Sequence, residues 1–254
     1  MNNSDNEFNS WYTWALFYLN SNFGNLLPGI AHNLQNTVHS YTMQLELWDQ
    51  KLEQNTVTET SDISKAVRRF HTTTDELSDF CDQLEQRVFY LQNHFAAVYL
   101  QDFINWQQAY WINNLFFKHY IDMSVIIDEQ TPNILETPPI ILTLVIEESL
   151  KNAIEGCYAI DPKGHFDIEL KLFPFEQGLK IAITSPTRLQ NSISPWEKGS
   201  STKQMNFGMG LPLADYFARL AGWQCSLQEG KDSTDFILEI PNLKVAVNRL
   251  EMIE

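Results

Sequence analysis

The 254-residue chain is short of the features that would tie it to an oxidising compartment, a membrane or a polyanion. Cysteine occurs only at Cys81, Cys157 and Cys225, far apart and with no Cys-x-x-Cys pair. That spacing indicates neither a disulfide framework nor a zinc site, and it suits a reducing cytoplasm. No apolar run is long enough to span a bilayer: residues 11–19 come nearest but lack the length and a basic flank, so no signal peptide or membrane span is expected. Positive charge is scarce as well. Lys and Arg total 17 against 32 Asp and Glu, a formal net charge of −15, which would repel a phosphate backbone or an anionic membrane at long range. Proteins or a metal–nucleotide complex are the partners left. Apolar residues, in contrast, make up 44% of the chain and aromatics 13%, ample for the cores of one large or two ordinary domains.

The apolar residues are ordered in two long series. Phe8, Tyr12, Leu16, Leu19, Phe23, Leu26, Ile30, Leu34, Val38, Tyr41, Leu45, Trp48 and Leu52 recur in steps of three and four, the seam of a helix packed along its whole length. Gly24, Pro28 and Gly29 predict a break in it, leaving residues 1–23 as a leading helix or extension. After a polar loop, Thr60-Ser61-Asp62 offers an N-cap. A second seam then runs through Ile63, Val67, Phe70, Thr74, Leu77, Cys81, Leu84, Val88, Leu91, Phe95 and Val98. Two such helices make an antiparallel hairpin, and covering both sides of its stripes takes a second copy, so a four-helix homodimer is expected. On the first helix His32, Asn36 and His39 stand at i, i+4 and i+7, on a different face from Ile30, Leu34, Val38 and Tyr41. The imidazole of His32 therefore points away from the seam.

Beyond residue 105 the periods alternate. Residues 123–127, 166–173, 178–184, 223–228 and 235–240 read as strands, with a hairpin signal at Glu176-Gln177-Gly178; residues 140–158 and 211–221 read as helices. This half is an α/β layer with helices against one mixed sheet. Glu148, Asn152 and Glu155 share one helical face, where a carboxylate and a carboxamide can hold hydrated Mg²⁺; a solvated acidic face has the same spacing. Gly208 and Gly210 run straight into the second helix, and glycines before a helix N-terminus allow a phosphate to approach the free N–H groups.

The order of these pieces resembles the catalytic core of bacterial sensor histidine kinases, from about residue 24 to 240. Ile30-Ala31-His32-Asn33-Leu34-Gln35-Asn36 looks like the phosphoacceptor box. Leu115-Phe116-Phe117-Lys118-His119 and the 148–155 stretch look like the approach to the ATP domain and its N box. Trp196-Glu197-Lys198-Gly199-Ser200-Ser201-Thr202-Lys203 is similar to the lid segment, and Gly208 to Leu213 to a glycine box. The resemblance implies an α+β chain in three parts: an extension (1–23), a dimerisation and phosphoacceptor hairpin (24–104), and an ATPase-like α/β sandwich (105–254). It also implies roles. His32 would accept the phosphoryl group, Asn33 would assist its proton transfer, and Asn36 would orient water or the partner's phosphoaspartate. Asn152 and Glu148 would hold Mg²⁺, while Glu155, Lys203, Gly208, Gly210 and Leu211 would complete an ATP site. The implied partners are a second copy, the receiver domain of a response regulator and a separate sensor or input protein, and the chain itself is expected in the cytoplasm.

One box departs from the family. Where an Asp-x-Gly-x-Gly motif is expected, the chain has Ser185-Pro186-Thr187-Arg188-Leu189, losing the adenine-reading carboxylate at a cost of about 1.5–3 kcal/mol. Two functions stay open: a histidine kinase that uses ATP weakly or in an unusual pose, and a dimeric phosphotransfer or scaffold protein whose second domain no longer uses nucleotide.

Overall fold

The computed structural model describes residues 3–54, 60–92, 94–175, 178–188, 196 and 208–241, with side chains described from Tyr12 in the first helix and from Ile63 in the second. Helices α1 (Asn3–Glu53) and α2 (Thr60–Tyr90) form the expected hairpin, joined across their length by pairs such as Tyr41 with Phe70, ring centroids 5.2 Å apart.

Two expectations are corrected here. Helix α1 does not break at residues 24–29 but passes through Pro28 without interruption. Gly24 and Pro28 both lie on the exposed side, where water can take the carbonyl that proline leaves unpaired. On the other side Leu26 and Ile30 are buried and hold the helix down. Gly29 serves approach, not a turn: a Cβ there would overlap the carbonyl oxygen of Asn113. The second helix ends at Tyr90, well short of residue 104. The steps of three and four through Leu91, Phe95 and Val98 also fit an interruption followed by a strand, and β1 (Ala96–Tyr99) is that strand.

β1 pairs antiparallel with β3 (Ile134–Thr137), Val98 opposite Leu135, and this ribbon turns the chain off the stem. Helix α3 (Leu100–Trp111) then lies against the end of α2. Its Trp106 Nε1 donates to the Gln83 carbonyl at 3.1 Å, and Tyr90, Phe103, Trp106 and Tyr110 pack ring to ring at 4.5–5.9 Å. Burying each such side chain stabilises the joint by roughly 2 kcal/mol. The stem and the sheet domain thus share one core.

α4 (Leu115–Tyr120), capped by the Asn114 side chain, leads into a five-stranded sheet. Its strands are β2 (Ile121–Ile127), β4 (Phe166–Phe175), β5 (Gly178–Ser185), β6 (Gln224–Glu229) and β7 (Thr234–Ile240). Their order is β2-β4-β5-β7-β6, with only β2 and β4 parallel. Phe175 pairs with Gly178 across the expected hairpin. Leu179, Ile181 and Ile183 alternate with the half-buried Lys180, Ala182 and Thr184, so one face of the sheet is core and the other is open. Helices α5 (Pro139–Ile160) and α6 (Gly210–Leu220) cover the core face. This is the expected α+β architecture of a helical hairpin and a mixed-sheet sandwich. Every residue of α5 from Pro139 to Leu150 is buried, because α1 and α2 cover the side that the sheet leaves free.

Candidate functional site

His32 is exposed on α1, as its position off the seam requires. The Asn36 side-chain nitrogen lies 3.2 Å from its Nε2. With the amide N–H donating, the ring proton is on Nδ1 and the Nε2 lone pair is held by Asn36 on an exposed ring. Asn33, one residue on and about 100° around the helix, points elsewhere. Its amide donates to Asn113 Oδ1 at 3.1 Å and accepts from Lys118 Nζ at 2.7 Å. Expected to assist the histidine, Asn33 instead pins α1 to the α3–α4 connection. His39 is exposed one turn beyond Asn36.

The second constellation centres on consecutive carboxylates in α5. Neighbours on a helix point about 100° apart, so Glu147 and Glu148 meet different elements, and neither lies on the solvated face that the spacing alone allowed: they are 0% and 2% exposed. Glu147 accepts from Arg87 Nη1 of α2 at 2.7 Å. The other guanidinium nitrogen donates to the Leu19 carbonyl of α1 at 2.8 Å, with the rings of Phe23 and Tyr110 at 5.0 and 4.6 Å. Burial nevertheless pushes the Glu147 carboxyl up to about 7, against the pull of Arg87.

Glu148 turns toward α1 and α6. Asn22 Nδ2 donates to its Oε1 at 2.9 Å, the Tyr18 hydroxyl also bonds to it, and Lys151 Nζ stands 3.6 Å away. Lys151 in turn donates to Asn22 Oδ1 at 2.9 Å and to the Tyr18 oxygen at 3.2 Å. Burial raises the Glu148 carboxyl, with Lys151, Asn22 and Tyr18 opposing the rise. A Cβ on Gly210 would overlap Glu148 Oε2 and stand 2.5 Å from the Tyr18 oxygen. Gly210 is therefore where α1, α5 and α6 converge. Asn152 donates to the carbonyl of Glu148 at 2.8 Å, bonding within its own helix. Glu155 and Leu211 are half-buried nearby in α5 and α6.

At the end of β5, the position expected to read adenine carries a hydroxyl pair. Ser185 and Thr187 bond oxygen to oxygen at 2.8 Å, the Thr187 carbonyl accepts from Thr234 at 2.8 Å, and a Cβ on Gly156 would lie 2.6 Å from Thr187 Cγ2. The loop is packed onto α5 by a methyl group. Gly208 holds φ 59°, a left-handed conformation that glycine adopts freely, and delivers the chain to α6. Leu189 and the whole 197–203 stretch, Lys203 included, lie outside the described residues; Trp196 packs against the core.

The structure thus brings Glu148 and Gly210 together but separates both from His32, and it adds four residues that the sequence reading passed over: Tyr18, Asn22, Arg87 and Lys151. A signal existed for two of them. Asn22 and Arg87 are polar side chains adjoining seam positions Phe23 and Val88, where burial needs a partner.

These geometries decide how a magnesium–nucleotide complex would fit. Mg²⁺ asks for oxygen ligands with room for water, yet the Glu148 carboxylate is consumed by Asn22, Tyr18 and Lys151, and the Asn152 amide is turned into its helix. Among the described residues no three His, Cys, Asp or Glu side chains converge as a metal cage. With α1 seated, the residues do not fit the group. Nor, among the described residues, is any helix long and apolar enough to cross a membrane.

No protein-family profile and no curated protein sequence matches the chain. Solved structures do. Two nucleotide-free forms of the catalytic domain of the histidine kinase ThkA superpose with TM-score 0.50 at 16% identity, covering 59% of this chain and 96% and 98% of theirs. The mycobacterial sensor histidine kinase MprB is 14% identical over 57% of this chain and 95% of its own, with TM-score 0.47. The ThkA likeness establishes the fold of the part it covers: over 59% of its length the chain is built like a histidine kinase catalytic domain.

Proposed function

We propose that the chain is a two-component signalling protein in which His32 carries a phosphoryl group and exchanges it with the aspartate of a receiver domain. The observation that carries this reading is the solvent-facing His32 ring with Nε2 beside the Asn36 amide. Transfer from an aspartyl phosphate breaks the O–P bond and forms an N–P bond at Nε2. That step needs an in-line approach to an unprotonated nitrogen and no covalent help from the protein. The Nδ1 proton and the Asn36 amide hold the ring in the reactive tautomer until the phosphate displaces the amide.

The stem supports a homodimer. Val38, Leu45, Leu52, Ile63 and Val67 are 46–58% exposed along it, a stripe that a second hairpin would cover.

A second reading, ATP-dependent autophosphorylation at His32, is favoured by the convergence of Glu148, Lys151 and Gly210 in a domain of this fold. Incubation with a phosphorylated receiver domain, and separately with γ-labelled ATP and Mg²⁺, tests both. Label on the wild type from the receiver but none on His32→Gln is expected. Label from ATP, again lost in His32→Gln, would make the protein a kinase, and label from neither donor would refute both readings.

A further inference from the structure

The part of α1 that precedes the histidine has a burial pattern of its own. Ala15 and Leu19 are 0% exposed, and Asn22 and Leu26 are buried with them; steps of four, three and four place all of them on one stripe. Beyond Ile30 no residue of α1 is buried. The stripe is not only apolar. Its polar members meet α5 with complementary atoms: the Asn22 amide reaches Glu148 with its nitrogen and Lys151 with its oxygen. The Tyr18 hydroxyl bonds to Glu148 and accepts from Lys151, and the Lys151 ammonium sits 5.1 Å from the Tyr18 ring centre. One carboxylate and one ammonium of α5 are satisfied by two neutral side chains of α1, directly over Gly210.

We infer that the turn of α1 containing Tyr18 and Asn22 is an intramolecular lock, which competes with a magnesium–nucleotide for Glu148, Lys151 and the backbone at Gly210. This rests on the second reading above, that the α5–α6 junction is a nucleotide site. Two features make the competition exclusive. The Tyr18 oxygen stands where a group resting on the Gly210 backbone would have to sit. The Glu148 carboxylate is held by Asn22 and Tyr18 while α1 is seated, so offering its Oε1 to a cation means withdrawing Asn22. The lock is coupled to the stem through the Arg87 bond to the carbonyl of Leu19, the residue next to Tyr18 and one turn before Asn22, so a shift of α2 along the stem loosens the same contact. Nucleotide affinity is then scaled down by the fraction of molecules with α1 released.

The test uses the full chain, with Mg–ATP as the probe. Titration calorimetry compares wild type, Tyr18→Phe, which keeps the ring and removes the hydroxyl, and Asn22→Ala. Hydrogen exchange follows amides 15–26 with and without Mg–ATP. The lock requires at least tenfold tighter binding by Asn22→Ala than by wild type, a smaller gain for Tyr18→Phe, and faster exchange of amides 15–26 when nucleotide saturates the protein. Equal affinity in all three proteins, with exchange unchanged, would overturn the lock while leaving a nucleotide site standing. Exchange showing α1 released in Asn22→Ala, yet no binding by any of the three, would remove the nucleotide site and the lock together. Should Asn22→Ala fail to fold, the isosteric Tyr18→Phe and the wild-type exchange experiment decide between the same outcomes.

Discussion

Replacing Arg87 by alanine should cost more than any other single change in the stem. Its side chain is 6% exposed and its partner Glu147 is 0% exposed, so the substitution strands a carboxylate in the core, with its second oxygen already lacking a hydrogen-bond partner among the described residues. It also leaves the Leu19 carbonyl without its donor and vacates the space between the Phe23 and Tyr110 rings. Breaking a buried pair from one side costs about 3–5 kcal/mol, a large share of a native stability of roughly 5–15 kcal/mol. At this chain length that corresponds to a fall in Tm of roughly 10 °C. Most of this loss is the cost of a buried acid left without its partner, not the pair's net contribution. The double variant Arg87→Met with Glu147→Gln, which removes both charges and keeps the volume, should recover most of it. Urea titrations of wild type, Arg87→Ala and the double variant, followed by circular dichroism, measure the effect. A loss below about 1 kcal/mol for Arg87→Ala, or a double variant no better than the single one, would refute the claim that a buried charge pair joins stem and sheet domain.

Gly210→Ala should destabilise the folded chain by about 1–3 kcal/mol, because the added methyl overlaps Glu148 and crowds Tyr18; an unchanged melting temperature would show that α1 does not close on this junction. Stability should also fall as pH rises from about 4.5 to about 7. Over that interval the folded protein still holds the Glu147 proton that the unfolded chain has released, and burial of Glu148 acts in the same direction. Denaturation midpoints across pH 5–8 should therefore slope less in Glu147→Gln than in the wild type, and equal slopes would contradict it. Val38→Glu combined with Leu45→Glu, on the exposed stripe, should convert a dimer to a monomer in sedimentation while leaving the fold by circular dichroism intact; a wild type that is itself monomeric would remove the homodimer.

How legible the chain was depends on the range of the interactions concerned. The stem and sheet were readable because each rests on a local period: steps of three and four for α1, α2 and α5, alternation for β4, β5 and β7. The exposure of His32 followed from the same geometry. The end of α2 was misread because Leu91, Phe95 and Val98 keep helical spacing by coincidence, while Val98 belongs to a strand and pairs across to Leu135. Continuity through Pro28 was misread because it is decided by burial of Leu26 and Ile30 on the opposite side of the helix.

The sequence by itself determined where residues capable of chemistry stand: a histidine off the apolar seam with an amide one turn on, adjacent carboxylates on a helix, and glycines where a helix begins. Only the tertiary structure decided what those groups touch. Asn22 and Glu148 are 126 positions apart and Arg87 and Glu147 are 60; no periodicity links such positions, because the contacts are made by the angle at which α1 and α2 settle on α5. The same physics explains the reassignment of Asn33 to Asn113 and Lys118. A polar side chain takes whichever partner folding brings within about 3 Å, since leaving a buried donor or acceptor unpaired costs more than any local preference supplies.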